Sequence, residues 1–93
     1  MDQFIDAVIK NNVVEVQVFL SQNDSLVNAC QDDAKITPLH FAAQNNAFDC
    51  AQALINAGAN IHAKTVDGLT PLDIAALHQN HDIVQLFEQH LSE

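Results

Sequence analysis

"TPLHFAAQNN", residues 37–46, returns in altered form as "TPLDIAALHQN" at residues 70–80, with Thr37 and Thr70 standing 33 positions apart. Thr followed by Pro is a helix start: the hydroxyl accepts a hydrogen bond from an orphan amide, and proline at the first helical position lacks the amide that would go unpaired. Leu39, Ala42 and Ala43 follow at helical spacing, and the small alanines let a neighbouring helix come close. Asn45-Asn46 then breaks the helix, because asparagine tolerates the left-handed conformation of a tight turn. A second helix is expected from about Phe48 to Asn56, with Cys50, Ala51, Leu54 and Ile55 as its apolar stripe and Gly58 as its stop. Shifted along the chain, the same reading repeats at Thr70, Pro71, Leu72, Ala75 and Ala76, the turn Gln79-Asn80, then Ile83, Val84 and Phe87.

Between the two copies lies "GANIHAKTVDGLT", residues 58–70, where Asp67-Gly68 signals a tight hairpin turn and a projecting finger. The preceding connector, "NACQDDAKIT" at 28–37, is one residue longer when Val27-Asn28-Ala29 is matched to Ile61-His62-Ala63, and its turn lacks glycine. The N-terminal segment is a weaker copy at an offset of 35. There Phe4, Ala7 and Val8 stand for Leu39, Ala42 and Ala43, Asn11-Asn12 mark the turn, and Val16, Phe19 and Leu20 stand for Ala51, Leu54 and Ile55. Asp2 takes the capping place of the two threonines.

Composition narrows the function classes. A chain of 93 residues is one domain, and such a chain buries about 60 to 65% of the surface its unfolded form exposes. With 48% hydrophobic and 16% charged residues, no apolar run of the roughly 18 residues a spanning helix needs and no secretory signal pattern, a soluble, cytoplasmic protein is expected, with Cys30 and Cys50 reduced. Three lysines, no arginine and 12 acids give a formal net charge of -9. That balance repels phosphate backbones and speaks against nucleic acid, while it favours a partner with a basic surface.

The repeat resembles the ankyrin repeat family, whose units of about 33 residues carry T-P-L-H-x-A-A, a glycine at the inter-helix turn and G-A-(D/N)-(V/I)-N before the next finger. "TPLHFAA", "GANIHA" and "DGLTPLDIAA" carry the likeness, which runs over nearly all of the chain. Asn11, Asn46 and Gln79 depart from the turn glycine, Lys35 sits near a finger glycine, and Asp73 stands where His40 does. The resemblance implies an all-α repeat solenoid: a single domain over 1–93 of three stacked helix-turn-helix units, at about 1–28, 29–61 and 62–93, with β-hairpin-like fingers.

Stacked units share one core, so the end units must be polar outside. Glu88 in the place of Ile55, the wet residues Gln85, Gln89 and Glu93, and Asp6 in the place of Phe41 fit that requirement, whereas Leu86 replaces the smaller Ala53. These substitutions lead us to expect a capped, complete small protein that is monomeric when unbound.

For chemistry the chain offers little. His78, His81 and Asp82 have the residue types of a metal site but straddle the inter-helix turn, so no metal and no cofactor is expected. Ser21, Ser25 and Ser92 lie at helix or chain ends, Cys50 sits on an apolar stripe where burial raises its pKa, and two glycines, Gly58 and Gly68, build no phosphate cradle. An enzyme is not expected. By the family resemblance His40 ties its own repeat to the preceding loop, together with the nearby threonine.

The same resemblance implies a concave binding face made of finger tips and the exposed side of each first helix. Asp33, Ala34, Ile36, Gln44, Asn45, Lys64, Val66, Asp67, Leu69, Leu77 and His78 fall there. Apolar residues within a polar rim suit a protein interface, although Ile36 and Leu69 equally suit packing of finger against finger. Two functions fit: an adapter or scaffold that holds a partner protein, or a stoichiometric inhibitor, of a kinase or a toxin for instance, that occludes a catalytic cleft with the same face.

Overall fold

The computed structural model describes residues 3–28, 30 and 33–91. Within them lie α1 (Gln3–Ile9), α2 (Val13–Gln22), α3 (Pro38–Gln44), α4 (Phe48–Asn56), α5 (Pro71–Leu77) and α6 (His81–Leu91), with a 3₁₀ helix at Asp24–Asn28. Asp2, Ala29, Ser92 and Glu93, given roles above, lie outside the described residues.

Local chemistry sets these boundaries. Thr37 and Thr70 are extended (φ -87° and -86°), and each hydroxyl accepts from the amide three residues on, His40 N and Asp73 N. The bond is returned in both cases: Thr37 N donates to His40 Nδ1 at 3.1 Å and Thr70 N to Asp73 Oδ2 at 3.1 Å. Two orphan donors are thereby satisfied at each helix start. The inter-helix turns place Asn11, Asn46 and Gln79 at φ of 57°, 56° and 59°, and the first finger places Lys35 at 60°, the left-handed region where glycine is unstrained. The sequence departures from glycine therefore keep the glycine conformation.

Asn tolerates that region better than Gln does, which makes Gln79→Gly informative. Relief of left-handed strain, less the entropy that glycine adds to the unfolded chain, gives an expected gain of about 0.5 to 1 kcal/mol. Asn46→Gly gains less. Urea denaturation of both variants measures the difference.

The helices form two layers. In one, α1 packs on α3 and α3 on α5; in the other, α2 packs on α4 and α4 on α6, and each unit joins its own two helices across the layers. Ala7, Ala42, Ala43 and Ala75 are buried on the first layer, and Val8, Val16, Leu39, Leu54, Ile83 and Phe87 are fully enclosed in the shared core. Burial of each large side chain stabilises the fold by about 1.5 to 3 kcal/mol before entropy is counted.

Asparagines also join one unit to the next. Asn11 Oδ1 accepts from Cys50 N at 3.1 Å, thereby capping α4, whose own N-cap residue, Ala47, makes no side-chain cap bond. Asn28 Oδ1 accepts from Asn60 N at 2.8 Å, and Asn80 Nδ2 donates to Ala43 O at 2.6 Å. Glycine at position 11 would keep the turn and lose the bond.

The fingers contain no strand among the described residues. The second closes as a turn, with Gly68 N donating to Thr65 O at 2.8 Å and Thr65 N to Leu69 O at 2.9 Å. Val66 N donates to Ala34 O at 2.9 Å and so ties the two fingers together. In the first connector Val27 is buried within the 3₁₀ helix, so its match to Ile61, which lies in a turn, does not extend to local conformation.

At the ends, Glu88 is exposed and Asp6 pairs with Lys10 at 3.0 Å, whereas Leu86 is buried and Val14 and Val18 are exposed on α2. No helix among the described residues is long and apolar enough to cross a membrane.

Candidate functional site

The residues with catalytic side chains are occupied locally. Ser21 Oγ donates to Val18 O at 2.8 Å and Ser25 Oγ to Asn23 Oδ1 at 2.6 Å. Cys30 and Cys50 are both free thiols. Burial, with a smaller contribution from the Asp49 carboxylate, pushes the Cys50 thiol up to about 11, so it is a weak nucleophile near neutral pH. His78 is the C-cap of α5 and His81 opens α6; no group of three or more metal-ligating side chains comes together among the described residues.

His40 is fully buried. Its Nδ1 accepts from Thr37 N and lies 2.7 Å from Thr37 Oγ1, which makes Nε2 the protonated nitrogen, donating to Leu69 O at 2.9 Å. The partner therefore belongs to the following connector and not to the preceding loop: His40 fastens α3 to the second finger. The chain direction of that bond is invisible in a motif, which names the donor and leaves the acceptor to the geometry.

Burial holds the His40 pKa below the usual 6.5, outweighing the carbonyls of Leu69 and Ala63, which favour the proton. In the window below 6.5 the unfolded imidazole binds a proton that the folded one refuses, so stability is lost as pH falls through that window and is fully present above it. His40→Ala is expected to cost about 1 to 3 kcal/mol, because Leu69 O and the Thr37 amide lose their partner. Urea midpoints at about pH 7 and pH 5, chosen to bracket the imidazole range, should show a smaller pH dependence in the variant.

The exposed residues from the sequence divide into two groups. Val66 and Leu77 are 66% and 68% exposed; Asp33, Gln44, Asn45, Lys64, Asp67 and His78 are also exposed, while Ala34, Ile36 and Leu69 are half-buried. Ala34 and Val66 meet through their backbones. Leu69 and Leu77 line one shallow groove with Asp73 and Ala76. Asn45 Nδ2 donates to Phe41 O at 2.9 Å, so its side chain is partly engaged at the end of α3.

Asp73 and Ala76 were not among the residues read as binding from the sequence. The signal was present in the repeat: they stand 33 positions after His40 and Ala43, both of which are enclosed. On the third unit Asp73 and Ala76 are both exposed.

Residues 4–91 match the family described as ankyrin repeats in three copies. The chain belongs to the ankyrin repeat family. Ankyrin relatives include the mouse 2-5A-dependent ribonuclease, 40% identical over 73 residues that make up 78% of this chain and 10% of the ribonuclease. Bovine ankyrin repeat domain-containing protein 49 is 45% identical over 60 residues, covering 64% of this chain and 25% of that protein. Rat cortactin-binding protein 2 is 33% identical over 66 residues, 71% of this chain and 4% of its own length. The chain thus spans a quarter or less of each of these proteins. What is shared with them is the ankyrin repeat, a non-catalytic fold that serves as a module for protein–protein interaction.

Proposed function

We propose that this ankyrin domain holds a partner protein through the finger tips and the exposed side of α5, acting as an adapter or scaffold. The observation that carries this reading is the pair Val66 and Leu77, two apolar side chains each about two-thirds exposed. They lie near acidic Asp67 and Asp73 on a chain of formal net charge -9. Exposed apolar anchors within a charged rim are the usual make-up of a binding surface, and the net charge favours a basic partner.

The negative field accelerates encounter, and salt weakens it beyond a Debye length of about 8 Å at physiological ionic strength. Association with a captured partner is expected to slow as salt rises. Pull-down with the immobilised domain, mass spectrometry of the captured protein and an activity assay on that protein test the function. Capture of a basic non-enzyme supports the scaffold; capture of an enzyme that loses activity when bound makes the domain an inhibitor. Salt-independent association with an acidic partner contradicts the electrostatic part of the reading.

A further inference from the structure

The groove lined by Leu69, Asp73, Ala76 and Leu77 has a counterpart inside the molecule, 33 positions earlier, at Ile36, His40, Ala43 and Gln44. On that earlier unit His40 and Ala43 are covered, while Ile36 is half-buried and Gln44 is exposed. Packing of α5 on α3 leaves Ala43 and His40 with no exposure, and the carbonyl of Leu69 lies on His40 Nε2. What covers the position there is an apolar helix together with a hydrogen-bond acceptor.

On the third unit the same position is exposed at Asp73, Ala76 and Leu77, and two residue types have changed. The donor His40 is replaced by the carboxylate of Asp73, and the polar Gln44 by Leu77. Asp73 Oδ2 is engaged by Thr70 N, while Oδ1 receives no hydrogen bond among the described residues. A unit stacked as the third sits on the second would bring a carbonyl against this carboxylate, acceptor against acceptor. A cationic donor reverses the repulsion, and Leu77 adds apolar surface that the earlier unit lacks. The change at Asp73 disfavours the acceptor that His40 receives, and the change at Leu77 makes an exposed position apolar.

We propose that this groove receives an aliphatic side chain of the partner protein, with a lysine or arginine one or two residues away pairing with Asp73. The proposal rests on the interaction function above and specifies the partner segment which that function leaves open. The aliphatic group lies against Ala76 between Leu69 and Leu77; the cation meets Asp73 and, more distantly, the summed negative charge of the domain.

The test uses a phage-displayed library of random peptides selected on the full chain, followed by affinities of the enriched peptides in synthetic form. Enrichment of an aliphatic residue next to or one removed from Lys or Arg is expected. Asp73→Asn, which keeps an oxygen for the Thr70 amide, should weaken these peptides about tenfold, the loss of one close charge pair. Ala76→Arg, which fills the groove, and Leu77→Ser, at an exposed position, should weaken them at least as much, with melting temperatures confirming that each variant is folded. Enriched peptides without a basic residue overturn the proposal, as does the absence of any enriched peptide. If Val66→Asp abolishes peptide binding while all three groove variants leave it unchanged, the groove assignment fails and the interaction function stands. If none of the four variants weakens a selected peptide, both fail.

Discussion

Val66→Asp and Leu77→Asp are each expected to raise the dissociation rate of the bound partner by about 30-fold or more, the effect of losing an anchor of roughly 2 kcal/mol. The two side chains are the apolar groups most available on the fingers and α5, and placing a carboxylate there removes contact area and sets an unpaired charge in the interface. Association should change little, since a single added charge is a small increment on the field of a domain at -9. Gln52→Asp, at an exposed site on α4, is the matched control: it adds the same charge away from the fingers and should leave dissociation unchanged. Surface plasmon resonance on the captured partner separates the two rates. Insensitivity of dissociation at both Val66 and Leu77 would remove them from the interface.

Phe87→Ala is the change with the largest expected effect on stability, a loss of about 3 to 5 kcal/mol. Phe87 is fully enclosed on α6, which packs against α5 and α4. The third unit has a neighbour on one side only among the described residues, so the space left by the ring has few side chains able to move in. Domains of this size are marginal, and a repeat array loses cooperativity when an end unit detaches. The expected result is a lower urea midpoint with a broader transition as α6 and α5 loosen before the rest. Gln85→Ala, on the exposed side of the same helix, should stay within about 0.5 kcal/mol of the parent. A sharp, unshifted transition in Phe87→Ala would show that the third unit does not depend on this core contact.

The helical layout was legible because it is written in local chemistry. Thr-Pro marks the start of α3 and α5, Asn or Gln ends the first helix of each unit, and the 33-residue interval carries the second unit onto the third. Even the limits of α4, Phe48 to Asn56, follow from the apolar stripe and the glycine after it. The motif resemblance gave His40 a structural role, but its acceptor, Leu69 O, depends on how two units stack, and sequence spacing does not encode which neighbour lies above the ring.

The fingers were harder to read for a related reason. Asp67-Gly68 announced a turn, and the turn is present at Thr65–Leu69. Too few backbone pairs flank it to form a strand, and the bond that steadies it, Val66 N to Ala34 O, comes from the other finger. Ile36 and Leu69 are half-buried, so packing and recognition share them. Asp73 and Ala76 were read as repeat positions and not as binding ones, because their counterparts His40 and Ala43 are interior.

Hydrogen–deuterium exchange of the domain, alone and with its captured partner, tests the central claim most directly. Slowed exchange is expected in peptides covering 33–36 and 64–69 and at the end of α5 around Leu77 and His78, with α4 and α6 little changed. Protection confined to α4 and α6, with the fingers and α5 unaffected, would contradict the account and place the partner on the opposite layer.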